Sequence, residues 1–267
     1  MFVAGIDIGS LTAKTVILDG HAQVVGQSLV PTGAISKKAG ETSFEMALKV
    51  AEIKTSDINY ILATGYGRKN IPFANGEMTE ISCHAKGAHN LFPEVRTIID
   101  IGGQDSKAIS INEAGILTGF MMNDKCAAGS GRFLEVMARA LEIELDRMGE
   151  LSLRSTKNIQ ISSMCTVFAE SEVVSSVANG CDPSDIINGI HHAIARRVSI
   201  MVEHIGVKER VMMSGGVAKN IGVVRALEHE LHTTLLIPKE PQLVGALGAA
   251  LIALERTRVK DQSKGMV

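Results

Sequence analysis

The sequence predicts an α/β fold built from two related lobes, and two observations support that prediction. The stretch Gly5–Leu18 is echoed 93 positions later by Ile98–Ile111, and both copies place an apolar run before Asp-Ile-Gly and a Lys seven residues after the Asp. Each copy is the start of a run of predicted strands, and segments with helical periodicity come after those strands. Because there are only two copies, a solenoid is excluded, and the 267 residues suffice for two lobes.

The first lobe is assigned to residues 1–95. Its predicted strands are apolar or β-branched runs, with Asp19-Gly20 as a hairpin turn, and they cover Phe2–Ile8, Thr15–Asp19, Gln23–Leu29 and Tyr60–Thr64. Its predicted helices cover Phe44–Ile53 and Glu77–Asn90. We expect an apolar C-terminal helix at about 243–257 to complete this lobe.

The second lobe is assigned to residues 96–242. Its predicted strands cover Thr97–Ile101, Ala108–Asn112, Ile116–Phe120 and Glu209–Met213. Its predicted helices cover Arg132–Leu145, Val167–Ala178, Pro183–His204 and Ala218–His232, and a loop at Ser162–Thr166 comes before the second of them. Three strands followed by helices in each lobe indicate two partly antiparallel sheets.

The composition gives no sign of a nucleic-acid or membrane partner. The net charge is −2, the hydrophobic content is 45%, and no long basic run occurs. The longest apolar run, Leu243–Leu254, is too short to span a bilayer, and the N-terminus does not resemble a signal peptide. We therefore expect a cytoplasmic protein, whose four cysteines are thiols or metal ligands rather than disulfides.

The glycines of the two repeated turns are typical of a phosphate site. Gly9-Ser10 and Gly102-Gly103 would let a phosphate chain approach backbone N–H groups, because glycine has no Cβ to obstruct it. A single Asp-Ile-Gly would more simply be a hairpin or β-bulge. The second copy favours a pair of turns that clamp a phosphate chain from two sides.

Charged side chains beside these turns predict the chemistry of hydrolysis. Asp7 and Asp100 follow apolar strands and would face Mg²⁺ through water molecules, since Mg²⁺ dehydrates reluctantly. Lys14 would neutralise phosphate charge. Gln104 and Asp105 follow the second turn, where they would orient a water molecule for attack on the γ-phosphate. The predicted catalytic residues are therefore Asp7, Asp100, Gln104 and Asp105.

A third glycine turn, Ser214-Gly215-Gly216, lies between a predicted strand and a helix, where a nucleotide fits the helix N-terminus. The sequence contains neither a Walker A motif nor GxGxxG. The three turns resemble those of the actin, sugar kinase and Hsp70 superfamily, whose two ribonuclease-H-like lobes close on ATP. The resemblance assigns Asp7–Lys14 and Asp100–Lys107 to the phosphate loops and Ser214–Asn220 to the adenosine loop. The predicted nucleotide-binding residues are Gly9, Ser10, Thr12, Lys14, Gly102, Gly103, Gly215, Gly216 and Asn220.

Two of the cysteines are candidate ligands of an iron–sulfur cluster. Cys126 and Cys165 each precede a predicted helix, and the positive end of a helix dipole favours bound anions. Two thiolates are half of the ligand set of a 4Fe–4S cluster, and a symmetric dimer would supply the other half. No CxxC motif is present, so an inert packing role remains the alternative. Cys83 is predicted to lie within a helix and to have a packing role. Cys181 lies at a predicted helix junction, where no functional role is expected for it.

Five strings resemble the activators of 2-hydroxyacyl-CoA dehydratases, in the BadF/BadG/BcrA/BcrD-type ATPase family. They are LATGYGR (62–68), IDIGGQDSK (99–107), MNDKCAAGSGRFLEVMA (122–138), CTVFAESEV (165–173) and SGGVAKN (214–220). The resemblance implies a homodimer that binds ATP and Mg²⁺ and shares one 4Fe–4S cluster, with Cys126 and Cys165 at ligand positions. It also implies a ferredoxin or flavodoxin as electron donor and a partner iron–sulfur enzyme as acceptor.

The family resemblance leaves some features open. Leu11 stands where family members often carry Thr, so Thr12 or Ser10 would have to supply that hydroxyl. Glu170 and Glu172 are expected to pair with the charge at their helix N-terminus. The same electron pump would serve a double-cubane-cluster protein or a benzoyl-CoA-type reductase. More distant alternatives are a small-molecule kinase of the same superfold and a non-catalytic actin-like protein.

Overall fold

The computed structural model describes residues 1–162 and 165–264, which divide into two compact units. The first unit contains Met1–Glu94, Asn112–Leu117 and the chain from Gln242 onward, and the second contains Val95–Ile111 and Thr118–Pro241. Ser163 and Met164, which fall in the loop predicted at 162–166, lie outside the described residues.

Strands and helices are numbered separately along the chain. The strands are β1 (Phe2–Ile8), β2 (Thr12–Asp19), β3 (Val24–Pro31), β4 (Ile58–Thr64), β5 (Gly76–Glu77), β6 (Thr97–Ile101), β7 (Ser106–Ile111), β8 (Leu117–Asn123), β9 (Val211–Ser214) and β10 (Leu235–Leu236). The helices are α1 (Ser36–Ala51), α2 (Glu80–Leu91), α3 (Gly131–Ala140), α4 (Met148–Ser152), α5 (Thr166–Ala178), α6 (Pro183–Ile205), α7 (Ile221–Leu231) and α8 (Val244–Lys264).

The first unit is a mixed sheet in the order β3-β2-β1-β4-β5, with β1 antiparallel to β2 and parallel to β4. β1 is apolar almost throughout because helices cover both of its faces. Ile6 and Ile8 pack into the cluster that contains residues of α1, whereas Val3 packs with residues of α8. The C-terminal helix α8 extends to Lys264, the last described residue, and so passes the predicted end near 257.

Helices α2 and α8 approach closely because glycines face each other. A Cβ on Gly248 would lie 1.8 Å from the carbonyl oxygen of Cys83, and one on Gly87 would lie 2.2 Å from that of Val244. Cys83 is fully buried in α2, and burial raises the pKa of its thiol to about 12. The Cys83 thiol is therefore neutral at physiological pH.

The second unit repeats the pattern, with a mixed sheet in the order β10-β9-β6-β7-β8. β6 is antiparallel to β7 and parallel to β9, and the core between this sheet and α3–α7 includes Phe133, Ile190 and Leu227. The helix predicted at Arg132–Leu145 ends at Ala140, and Glu142 then adopts a left-handed φ of 53° that a helix cannot continue through. Within the described chain, every helix is too short or too polar to cross a membrane.

Candidate functional site

The first repeated turn holds a buried ion pair at its base. Asp7 and Lys14 are direct partners across β1 and β2, and the Lys14 Nζ lies 3.1 Å from the Asp7 Oδ2. The Gly9 N–H donates to the Thr12 carbonyl at 3.0 Å, which closes the turn tightly above the pair. A Cβ on Gly9 would lie 3.0 Å from the Lys14 Nζ, so the ammonium lies directly beside the turn backbone.

Two further glycines, which the sequence patterns did not single out as site residues, lie against Asp7. A Cβ on Gly65 would lie 2.3 Å from the Asp7 Oδ1, and one on Gly245 would lie 3.1 Å from the Asp7 Oδ2. Gly65 also has a φ of 83°, which disfavours any side chain. The LATGYGR string and the start of α8 thus leave space for the Asp7 carboxylate.

The second turn has the same geometry with one more partner. The Lys107 Nζ lies 3.2 Å from the Asp100 Oδ2 and 2.8 Å from the Asp105 Oδ2. The Ser214 hydroxyl donates to the Asp100 Oδ1 at 2.9 Å. Asp100 and Lys107 are both almost fully buried, so their charges compensate each other in a medium of low dielectric constant.

The remaining predicted residues of the two turns are more accessible. Gln104 is exposed, whereas Ser10, Gly102 and Gly103 are half-buried. Asp105, proposed to orient water, is held by Lys107. Leu11 is 37% exposed, so its side chain does not fill a buried position in the turn.

The second turn is joined by hydrogen bonds to the start of helix α3. The N–H of Gly131 donates to the Gly102 carbonyl at 2.8 Å, and that of Arg132 donates to the Gly103 carbonyl at 2.7 Å. These are two of the N–H groups that a helix leaves unsatisfied at its first turn. The segment that carries Cys126 therefore ends on the backbone of the predicted phosphate turn.

The third turn adopts the conformation that glycine allows. Gly215 has a φ of 86°, and a Cβ there would lie 2.2 Å from the Ile101 carbonyl oxygen. Gly216 begins a 3₁₀ turn, and Asn220 caps α7 by accepting from the N–H groups of Gly222 and Val223. The Asn220 amide also approaches the buried His191 at 3.3 Å. A nucleotide contact by Asn220 stays a prediction.

The two candidate cluster cysteines occupy different positions relative to helices. Cys165 is exposed and is the N-cap residue of α5. Cys126 is half-buried and lies five residues before α3, in a loop whose carbonyls at Cys126 and Ala128 accept from the Asn123 amide at 2.9 Å each. α3 and α5 pack against each other, so the segments that carry the two cysteines lead into helices that are in contact. Cys181 lies between α5 and α6, half-buried against the core.

Glu172 has a specific partner that sequence reasoning missed. Its two carboxylate oxygens accept from the Ser162 N–H and the Ser162 hydroxyl, each at 2.8 Å. This double contact anchors the chain before Cys165 to helix α5. The expected charge pairing of Glu172 at the helix N-terminus stays a prediction, and the contact with Ser162 adds a positional role that no sequence pattern indicated.

The two sheets, each with a turn between antiparallel strands, define a class of protein by their fold. A sugar kinase of the ROK family, the Streptomyces griseus glucokinase, superposes with a TM-score of 0.57 at 14% identity, covering 96% of this chain and all of the kinase. At that identity the likeness concerns the fold alone. The predicted fold class, that of the actin, sugar kinase and Hsp70-like ATPases, is confirmed.

Within that class, the chain belongs to the BadF/BadG/BcrA/BcrD ATPase family, whose model matches residues 4–253. The activator of lactoyl-CoA dehydratase from Anaerotignum propionicum is 49% identical over 97% of this chain and all of its own length. The (R)-2-hydroxyglutaryl-CoA dehydratase component A of Acidaminococcus fermentans superposes with a TM-score of 0.94 at 46% identity, covering 97% of this chain and 99% of that one. The 2-hydroxyisocaproyl-CoA dehydratase activator of Clostridium difficile with bound ADPNP gives 0.93 at 43%, covering 98% of both chains.

Proposed function

We propose that this chain is the ATP-hydrolysing activator of a 2-hydroxyacyl-CoA dehydratase, to which it passes one low-potential electron. Relatives named as activators or activating ATPases of such dehydratases match nearly the whole chain at 46–49% identity. The structural observation that carries the proposal is the pair of hydrogen bonds from Gly131 and Arg132 to the second turn. They connect the predicted phosphate-binding backbone directly to the segment that bears Cys126.

The two turns are suited to bind the phosphates of ATP. Because glycine has no Cβ, phosphate oxygens can approach the turn backbone at residues 9, 102 and 103 closely. Asp7 and Asp100 hold carboxylates where they would orient water-bound Mg²⁺. The Lys14 Nζ lies 3.1 Å from the Asp7 Oδ2, and this ion pair holds the ammonium in place beside the turn. Catalysis of this kind depends on positioning and electrostatic stabilisation rather than on covalent chemistry of the protein.

The thiols fit a cluster shared between two copies of the chain. Cys126 and Cys165 provide two of the four thiolates that a 4Fe–4S cluster takes, and a two-fold axis would provide the other two. Helix α5 presents apolar side chains to solvent at Val167, Phe168, Val174 and Val177, with exposed fractions of 47–66%. A second copy would cover such a face. When bound, the cluster would supply a one-electron carrier.

The chain's own part is to transmit the state of the nucleotide to the thiols. A change of the backbone at Gly102 and Gly103 would alter the two carbonyls that α3 holds, and α3 packs against α5. Loss or gain of the γ-phosphate would therefore shift both thiol-bearing segments together. Only a structural difference between the ATP and ADP states can drive such a shift. The proposed electron donor is a ferredoxin or flavodoxin. The proposed location is the cytoplasm, where the thiols would stay reduced.

The proposal is tested by strictly anaerobic purification, with iron and sulfide counted per chain. We expect about four iron atoms per two chains, a brown dimer, and reduction of a purified dehydratase that requires ATP hydrolysis. Cys126→Ala and Cys165→Ala should lose iron, whereas Cys181→Ala, a matched cysteine outside the pair, should keep it. A colourless, iron-free dimer that still hydrolyses ATP would contradict the proposal.

A further inference from the structure

Three side chains of the second unit meet on its surface where α6 packs against α7. His192 lies on α6, and His229 and Glu230 lie near the end of α7. The Nδ1 atoms of His192 and His229 lie 3.1 Å and 3.9 Å from the same Glu230 Oε1. All three candidate ligand atoms lie within 4.8 Å of one another. The ATP turns and the thiols do not use these residues.

We propose that this His192–His229–Glu230 cluster binds one divalent transition-metal ion, with Zn²⁺ as the best fit. Two imidazole nitrogens and one carboxylate oxygen form a ligand set that Zn²⁺ takes with a water molecule in the fourth position. Mg²⁺ and Ca²⁺ prefer oxygen ligands, so the two imidazoles select against the ion that accompanies ATP. The site is thus chemically distinct from the predicted Mg²⁺ position.

The distances are close to those that coordination needs. Ligand atoms at about 2.0–2.1 Å from a tetrahedral Zn²⁺ lie about 3.3 Å apart. His192 and Glu230 already meet that spacing. His229 lies 3.9 Å from Glu230 and within 4.8 Å of His192, so its ring has to move by about 0.5–1.5 Å. Its side chain is 73% exposed, so it is free to make that movement.

A surface ion pair alone does not explain the arrangement. Such a pair accounts for His192 and Glu230, but neighbouring residues on a helix point in different directions. The His229 ring nevertheless brings its Nδ1 to the carboxylate of Glu230, and its plane stands at 87° to that of His192, with the centroids 5.3 Å apart. Both imidazoles therefore have a ring nitrogen within 4 Å of the same carboxylate oxygen.

An ion here would connect two helices that the core already orders. α6 and α7 pack directly together, and Ile190 and Leu227 are fully buried in their shared cluster. Because the unfolded chain lacks the site, the ion would stabilise the folded second unit. α7 begins directly after Asn220, so the link would also stiffen the helix that follows the predicted adenosine loop.

The experiment is calorimetric titration of Zn²⁺ into the untagged, anaerobically purified protein after removal of free metal. The variants are His229→Ala and Glu230→Gln, and His232→Ala is the matched control, an exposed histidine of the same region outside the ligand set. Wild type should bind one more Zn²⁺ per chain than His229→Ala, or bind it more than about tenfold tighter, since removal of even a supporting residue costs about 10–100-fold in affinity. His232→Ala should match wild type.

Thermal unfolding gives a second readout. Zn²⁺ should raise the Tm of wild type and His232→Ala by more than it raises that of His229→Ala and Glu230→Gln. Any Zn²⁺ bound by Cys126 or Cys165 persists in all four proteins and so cancels in the comparison. Equal Zn²⁺ stoichiometry, affinity and Tm shift in all four proteins would overturn the proposal, and so would a loss in His232→Ala equal to that in His229→Ala.

Discussion

Lys107 and Asp100 are direct partners across β6 and β7, and their charged groups lie 3.2 Å apart with almost no exposure to solvent. Asp7 and Lys14 form the same pair 93 positions earlier, at 3.1 Å. The seven-residue spacing of Asp and Lys in both repeats has a simple cause. In each hairpin the Asp lies four residues before the tip of the turn and the Lys four residues after it. The two residues are therefore directly opposite each other on the antiparallel strands, with their side chains on the same face of the sheet.

Lys107→Met is expected to destabilise the second unit by about 3–5 kcal/mol, because it leaves a buried carboxylate without its counter-charge. Urea unfolding followed by circular dichroism measures the change. Lys125→Met is the matched control, since Lys125 also lies 3.2 Å from an aspartate, Asp124, but is 89% exposed. That substitution should cost less than about 1 kcal/mol. Equal losses in the two variants would mean that burial does not decide the strength of the Lys107 pair.

Gly65→Ala is expected to lower the ATPase rate about 100-fold, because the new Cβ would lie 2.3 Å from the Asp7 Oδ1 and displace the carboxylate. Gly33→Ala separates this effect from backbone strain. Gly33 also has a positive φ, of 58°, but a Cβ there meets nothing within 4 Å. The measurement is steady-state ATP hydrolysis at saturating Mg²⁺. If Gly65→Ala keeps the activity of Gly33→Ala, Asp7 has no part in hydrolysis.

Glu172→Ala is expected to release iron to a chelator about ten times faster than wild type, because it frees Ser162 and the chain that leads to Cys165. Glu170→Ala, two residues earlier on the same helix, keeps both hydrogen bonds to Ser162 and should behave as wild type. The rate is followed by the loss of cluster absorbance under anaerobic conditions. Identical rates in both variants would assign Glu172 no role in positioning Cys165.

His191→Gln is expected to remove part of the acid sensitivity of folding. Burial lowers the pKa of His191 to about 3, from 6.5 in the unfolded chain, and one ring nitrogen has no partner within the described residues. Between these two pKa values the unfolded chain binds a proton at His191 and the folded chain does not. The free energy of unfolding therefore decreases as the pH falls below 6.5, and this decrease ends near pH 3.

The size of that effect is about 2 kcal/mol between neutral pH and about pH 5, from 1.36 kcal/mol per pKa unit. Denaturant unfolding at several pH values measures it. His204→Gln, an exposed position on the same helix, should leave the pH dependence of wild type unchanged. A His191→Gln profile that runs parallel to that of wild type would contradict the assignment.

Much of the fold follows from the sequence because its signals are local. Strand β1 was predicted with its exact bounds, and α5 within one residue, since apolar runs and helical periodicity depend on neighbours along the chain. The helix predicted to reach Leu145 instead ended at Ala140, because the left-handed backbone at Glu142 has no signature in a residue of that type. A helix end that depends on the backbone dihedral angle of one ordinary residue cannot be predicted from the residue pattern.

By itself, the sequence determined the repeated Asp-Ile-Gly turns, their paired lysines and the family to which the chain belongs, since each depends on short strings of residues. Tertiary structure alone decided which groups meet across long separations. Gly65 and Gly245 surround Asp7, Glu172 holds Ser162, and His192 reaches Glu230 only after α6 packs on α7. These contacts come from the packing of helices and strands, which no periodicity within one segment encodes.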